Sequence, residues 1–121
     1  MTDHTPELKQ IIIEALDDLK ATDINILDVT TMTSITDSMI IATGTSSRHV
    51  KSLADLVIES SKKKGYRPLG SEGGPGSEWV LVDLGDIIVH VMTATAREFY
   101  DLDGLWSMTL NNSSSVERPT E

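Results

Sequence analysis

The sequence predicts one α/β domain in which three helices pack on a mixed sheet of about five strands. Apolar residues recur at helical spacing near the start, in the middle and near the end of the 121-residue chain. Short apolar runs separate these segments, and one helical segment lies between two such runs, which favours a parallel pair of strands. Gly85 marks a tight turn between two further runs, which favours an antiparallel pair.

The first helix is predicted from about residue 6 to residue 21. Thr5 can cap its start, and Pro6 suits the first helical position because an N–H there has no intrahelical partner. Its apolar stripe has spacings of 3 and 4 and comprises Leu8, Ile11, Ile12, Ala15, Leu16 and Leu19. Two short strands follow, over residues 25–29 and 37–44. The second is apolar on both faces, as expected of a strand that is covered on each side.

A second helix is predicted to begin after Gly44, where residues 45–47 offer three capping hydroxyls. Its apolar stripe comprises Val50, Leu53, Ala54, Val57 and Ile58. Lysines 62–64 fall in its last turn, where positive charge suits the helix dipole, and Gly65 closes it.

The remaining chain is predicted as a loop, two strands, a helix and a tail. Residues 71–78 hold three glycines and one proline, which indicates a mobile surface loop. Apolar runs on both sides of Leu84–Gly85 indicate a hairpin, and a last helix is expected over residues 94–106. The domain therefore spans residues 1–107, and the polar segment 108–121 is expected to be disordered.

Composition excludes several kinds of site. The chain has no cysteine, which excludes disulfides, Cys-ligated zinc, iron–sulfur clusters and thiol nucleophiles. Ten basic residues against nineteen acidic ones give a net charge of −9. Such a chain repels phosphate backbones, so we expect a basic protein partner and no direct nucleic-acid readout. No apolar run approaches the ~20 residues that span a bilayer, and the N-terminus lacks a signal-peptide pattern. We therefore expect a cytoplasmic protein without membrane contact.

Polar residues at two places could carry chemistry. Segment 44–49 could bind a phosphate between a strand and a helix, but it lacks the lysine and glycine spacing of phosphate-binding loops, and helix capping explains it as well. Asp37, Asp83 and Asp86 could hold a metal ion, but two of them flank a glycine turn, where aspartate usually bonds to backbone amides. His90 lies inside an apolar strand pattern and is interpreted as a hydrogen-bonded, partly buried residue. We expect no catalytic residue, no metal site and no cofactor.

Four of the five aromatic residues lie between positions 79 and 106. The apolar stripe of the predicted last helix comprises Phe99, Leu102 and Trp106, which would face the sheet. Tyr100 then points about 100° away, beside Asp101, with Leu105 one helical turn further on. A tyrosine on a solvated flank beside an acid is typical of protein interfaces, and Trp79 could lie on the same side. Equally, Trp79 and Tyr100 could only cover the edge of a small core, and periodicity does not separate these interpretations.

Five ordered segments resemble the ribosomal silencing factor family, also called the Iojap-like family. They cover roughly residues 8–107 and read DDLKATDINILDV, SITDSMIIATGTSSRHVKSLAD, RPLG-x-EG, WVLVDLGDIIVHVM and REFYDLDGLW. The resemblance implies a fold related to the nucleotidyltransferases but without their catalytic function. In organelles, relatives assist ribosome biogenesis. The loop over residues 71–78 is more glycine-rich and less charged than is usual in the family.

The resemblance also implies a function and a site. Members bind the large ribosomal subunit through large ribosomal subunit protein fourteen, block joining of the small subunit, and so lower translation when nutrients are short. The contact surface of the family corresponds here to Trp79, Tyr100, Asp101 and Leu102, and we add Leu105 to this expected partner-binding set. Periodicity alone places Leu102 toward the sheet. We therefore expect it to contribute both to the hydrophobic core and to the rim of the partner-binding surface.

Two alternatives stay open. A small nucleotide- or metal-binding enzyme of nucleotidyltransferase type would need acidic residues to converge on segment 44–49 and hold Mg²⁺ there. The nucleotidyltransferases place a paired acid near their glycine turn, and no such pair follows Gly44. A homodimer that covers or complements the partner site is the other alternative, and the sequence does not decide the oligomeric state.

Overall fold

The computed structural model describes residues 5–30, 36–101 and 104, in which three helices and five strands follow one another along the chain. They are α1 (Thr5–Asp18), β1 (Thr22–Asp28), β2 (Ser38–Gly44), α2 (Ser47–Lys63), β3 (Gly70–Glu72), β4 (Trp79–Asp83), β5 (Ile87–Thr93) and α3 (Ala94–Tyr100). The predicted α/β class and the helix and strand order are confirmed. The proposed tail after residue 107 lies outside the described residues.

The strands form one mixed sheet in the order β1-β2-β5-β4-β3. The central strands β2 and β5 are parallel, in a register that runs from Ser38 opposite Ile87 to Gly44 opposite Thr93. The helix α2 connects the two halves of the sheet, as the crossover pattern predicts. The remaining pairs are antiparallel, including the predicted hairpin of β4 and β5. All seven residues of β2 are buried, which confirms the prediction of a central strand.

The two faces of the sheet are covered unequally. On one face, α1 and α2 pack over a large apolar core. The largest side chains of this core are Leu8, Ile12, Leu16, Ile40, Leu53 and Ile87. On the other face, a smaller core packs with α3, and Trp79 lies partly buried against it. This smaller core comprises Leu27, Val29, Met39, Ile41, Met92 and Ala96. The described part of the second face is therefore covered by only seven helical residues.

Two helices end earlier than their apolar stripes predict. The first ends at Asp18 instead of residue 21, because Lys20 turns the chain in a left-handed conformation (φ 64°), and Leu19 is consequently exposed. The last ends at Tyr100 instead of residue 106. Asp101 adopts φ 51° there, and its N–H donates to the carbonyl of Arg97, which caps the helix.

The segment before β4 contains a strand that sequence patterning missed. Residues 70–72 form β3 and pair with β4. The hydrogen bonds of this pair join backbone N–H and C=O groups, so a pattern of side chains does not reveal the strand. Gly73 then turns the chain at φ +98°, and a Cβ at this position would lie 2.6 Å from the carbonyl oxygen of Trp79. The loop therefore lies against the start of β4.

We expect Gly73→Ala to lower the free energy of unfolding by about 2 kcal/mol, because it combines a strained backbone with a clash against the Trp79 carbonyl. Gly76→Ala is the matched control, since Gly76 has a similar φ of +87° but open space around its Cα. Urea unfolding of both variants measures the difference. Equal destabilisation would contradict the close approach of Gly73 to β4.

Candidate functional site

Three aromatic side chains, which we call the aromatic cluster, form an exposed surface beside α3: Trp79, Phe99 and Tyr100. The ring centroids of Trp79 and Tyr100 lie 4.7 Å apart at an interplanar angle of 50°, and those of Phe99 and Tyr100 lie 5.0 Å apart at 89°. Tyr100 is 50% exposed and Phe99 is 80% exposed. The cluster thus joins the start of β4 to the end of α3 and presents apolar surface to solvent.

Phe99 corrects the sequence prediction. Helical periodicity places Phe99 toward the sheet, but the side chain is largely exposed. The reason is the length of α3, which buries only Ala96 and ends one residue after Phe99. A seven-residue helix covers one narrow strip of sheet, so it does not need a second apolar residue on that side. The predicted outward orientation of Tyr100 is confirmed.

A buried histidine orients the indole ring of Trp79. The Nε1–H of Trp79 donates a hydrogen bond of 3.0 Å to Nδ1 of His90, which lies in β5 and is only 6% exposed. Since Nδ1 accepts this bond, the proton of the neutral ring lies on Nε2. Burial lowers the pKa of His90 to about 4, so the ring stays uncharged at neutral pH. The interpretation of His90 as a hydrogen-bonded, buried strand residue is confirmed.

Hydrogen bonds at both ends fix α3 on the sheet. Thr93 caps the helix by accepting the N–H of Ala96 on its hydroxyl oxygen at 3.2 Å. The guanidinium of Arg97 donates to the hydroxyl of Thr43 at 2.9 Å and to the backbone carbonyl of Asp23. Sequence spacing puts Arg97 near Tyr100 but does not show this inward contact. It holds the helix that carries Tyr100 at a fixed place on β1 and β2.

Two carboxylates accompany the aromatic cluster. Asp101 is exposed directly after Tyr100, and its Oδ1 accepts the N–H of Gly104 at 3.1 Å. Glu78 precedes Trp79, and its Oε1 accepts the hydroxyl of Thr93 at 2.8 Å. The surface therefore combines exposed rings with negative charge, which suits a partner that carries positive charge.

The structure brings together three of the five residues predicted for partner binding. Trp79, Tyr100 and Asp101 lie at the same surface, where the loop and β4 meet the end of α3. Leu102 and Leu105 lie outside the described residues. Sequence reasoning missed Glu78 and the exposure of Phe99. A local signal exists for Glu78, which is an acid directly before the tryptophan.

Segment 44–49 uses its polar groups to begin α2. The hydroxyl oxygen of Ser46 caps the helix by accepting the N–H of His49 at 3.1 Å. The N–H of Thr45 donates to Nδ1 of His49 at 2.8 Å, and Nε2 of the same ring bonds to the carbonyl of Leu19 at 2.6 Å. These groups satisfy one another, so the capping interpretation is confirmed.

The acidic residues of the alternative enzyme site lie at the other end of the sheet from this segment. The N–H of Asp37 donates to the carbonyl of Asp86 beside the start of β2, whereas Gly44 ends that strand. The Oδ1 of Asp83 accepts the N–H of Gly85 at 2.9 Å, which is the turn role expected of it. Over residues 5–30, 36–101 and 104, no three histidines, cysteines or acidic residues group as metal ligands would. No helix in this part of the chain is long and apolar enough to cross a bilayer.

Comparisons with known proteins agree with this arrangement. The family described as ribosomal silencing factor during starvation matches residues 2–121. A ribosomal silencing factor of Haemophilus influenzae is 50% identical over 100 residues, which is 83% of this chain and 98% of that protein. A crystal structure of a protein from Chromobacterium violaceum superimposes with a TM-score of 0.82 at 47% identity, covering 84% of this chain and 85% of that chain.

One more distant relative has a name that points to a ribosomal particle. The mouse protein called mitochondrial assembly of ribosomal large subunit protein 1 is 29% identical over 101 residues, which is 81% of this chain and 44% of that protein. The family match spans almost the whole chain, and a bacterial relative shares half of the aligned residues. The chain therefore belongs to the ribosomal silencing factor family, whose members are ribosome-associated regulators of translation.

Proposed function

We propose that this protein binds the large ribosomal subunit in the cytoplasm, through large ribosomal subunit protein fourteen, and blocks joining of the small subunit. Translation then slows under nutrient limitation. The observation that carries the proposal is the contact of Trp79 with Tyr100 at an exposed surface, built from two distant segments and flanked by Asp101. The name of the mouse relative supports the large subunit as the particle.

The proposed mechanism is steric and uses no catalysis. A domain that occupies a joining surface prevents the second subunit from docking whenever its binding free energy exceeds that of the competitor at working concentrations. Trp79 and Tyr100 would supply the buried anchors, and Asp101 would accept a charge-assisted hydrogen bond from a lysine or arginine of the partner. The net charge of −9 would speed encounter with a basic ribosomal protein, so the association rate should fall as salt rises.

Sedimentation of separated ribosomal subunits tests the proposal. The purified protein is mixed with both subunits under conditions that favour joining, and the particles are separated on a sucrose gradient. We expect fewer joined ribosomes and co-migration of the protein with the large subunit. Unchanged formation of joined ribosomes at saturating protein would contradict the proposal.

The exposed aromatic cluster could also mediate a homodimer, which would hide the surface from the ribosome. Light scattering across protein concentrations measures this directly. If a dimer forms through the aromatic cluster, Phe99→Ala should shift the equilibrium toward the monomer, because Phe99 is the most exposed ring of that cluster. Ribosome binding would then rise less than linearly with protein concentration.

Tyr100→Ala should weaken binding to the large subunit by about 30-fold, which corresponds to about 2 kcal/mol, since buried tyrosines are frequent interface anchors. The domain should stay folded, because Tyr100 is half-exposed at a helix end. Tyr100→Phe keeps the ring contact with Trp79 and should lose much less affinity. Co-sedimentation with the large subunit provides the measurement. Normal binding by folded Tyr100→Ala would remove Tyr100 from the site.

A further inference from the structure

A shallow groove of about 260 Å³ lies beside the aromatic cluster. Its walls are the residues Glu78, Thr95, Ala96, Phe99 and Tyr100. The volume is below the ~300–1,000 Å³ of sites that enclose whole small molecules, so the groove fits one side chain better than a free metabolite. It adjoins the surface already assigned to the partner.

The lining of the groove combines two aromatic rings with one carboxylate. Phe99 and Tyr100 meet edge to face at 89°, so a group in the groove can contact the face of one ring and the edge of the other. Glu78 supplies a carboxylate, and its Oε1 accepts the hydroxyl of Thr93 at 2.8 Å. That bond fixes the position of the acid, and no described residue forms a hydrogen bond with its second oxygen, Oε2.

Among the residues that the structure describes, no basic side chain lines this groove. Arg97, the basic residue of α3, points elsewhere and donates to Thr43 and to the carbonyl of Asp23. No described residue of the groove therefore neutralises the negative charge of Glu78. Aromatic rings and a carboxylate that line one groove suit a cation, since the ring faces attract positive charge and the acid accepts its N–H groups.

We propose that this groove receives one arginine side chain of the protein partner, with the guanidinium on the Phe99–Tyr100 wall and its N–H groups on the carboxylate of Glu78. The inference rests on the proposed function for the identity of the partner. An arginine fits better than a lysine, because its flat guanidinium stacks on a ring while its N–H groups, which lie in the plane of the group, can still donate to the carboxylate. The groove would thus add charge selectivity to the apolar anchors.

Glu78→Gln tests the charge of this side chain most directly. The glutamine oxygen can still accept a hydrogen bond from the Thr93 hydroxyl, but the negative charge is removed. We expect it to weaken large-subunit binding by about tenfold, as is typical for losing a charge-assisted hydrogen bond. Glu98→Gln is the matched control, since it makes the same change of net charge on the exposed side of α3. Equal losses in the two variants would show only long-range electrostatics and would overturn the proposal.

A ribosome-free titration separates this inference from the proposed function. Acetyl-arginine amide is added to the 15N-labelled protein, with acetyl-lysine amide and acetyl-norleucine amide as comparisons. We expect saturable shifts at the amides of Thr95, Ala96 and Phe99 that are largest for arginine and are lost in Glu78→Gln. Equal shifts with norleucine, or no saturable shift with arginine, would overturn the groove proposal even if the ribosome binds. Arginine binding without ribosome binding would instead overturn the proposed function and leave the groove standing.

Discussion

Trp79→Ala is expected to lower the affinity for the large ribosomal subunit by about 100-fold, which corresponds to about 3 kcal/mol. The indole is the only ring of the aromatic cluster that contacts both Tyr100 and the buried His90, with centroid distances of 4.7 Å and 5.7 Å. Its removal deletes apolar contact area and takes away the surface against which Tyr100 rests. The loss should therefore exceed that of Tyr100→Ala, and co-sedimentation measures both.

Two further variants show which part of Trp79 matters. Trp79→Phe keeps a ring beside Tyr100 but removes the N–H that donates to His90, so it should have an intermediate affinity. Leu69→Ala changes an apolar residue that is 75% exposed near the opposite end of β4, where its N–H bonds to the carbonyl of Asp83. It should bind normally. A Trp79→Ala protein that is folded and binds like the wild type would contradict the role of the aromatic cluster.

The sequence predicts the structure best where the residue pattern of a single element shows which of its side chains are buried. The strand β2 is apolar on both faces in the sequence and is buried throughout in the structure. The order of strand, helix and strand favours a parallel pair, and the sheet contains one, β2 with β5. That order does not predict which strands form the pair, because the chain passes through α2, β3 and β4 between them. Capping is equally local, and the hydroxyl of Ser46 begins α2 as expected.

Prediction fails where the backbone departs from a regular pattern or where distant residues meet. The left-handed conformation of Asp101 ends α3 six residues earlier than predicted, and an apolar stripe carries no sign of it. Phe99 is consequently exposed. Trp79 lies opposite Met92 and not opposite His90, so its bond to His90 runs diagonally, two residues out of register, and depends on pairing that only the folded sheet supplies. The sequence therefore predicts which aromatic rings form the candidate site. It does not predict the groups that orient those rings.

Acid is expected to destabilise the domain through His90, whose ring is buried and uncharged. Burial lowers the pKa of His90 from 6.5 to about 4 in the folded state, whereas the unfolded chain regains the ordinary value. Between these pH values the unfolded state binds the extra proton, so the stabilisation is complete above about pH 6.5 and is lost as the pH falls toward 4. The loss attributable to this group should reach about 2 kcal/mol at pH 5 and about 3 kcal/mol near pH 4.

His90→Gln isolates this contribution from other titrating groups. The glutamine oxygen can accept the N–H of Trp79 but does not titrate, so the difference in unfolding free energy between wild type and variant should shrink by about 2 kcal/mol from pH 7.5 to pH 5. Urea unfolding at half-unit steps of pH measures this difference. The same titration should move the indole N–H resonance of Trp79, because a protonated Nδ1 becomes a donor and repels the indole N–H. A difference that stays constant with pH would show that His90 is not held uncharged by the fold, and Trp79 would then need another explanation for its fixed orientation.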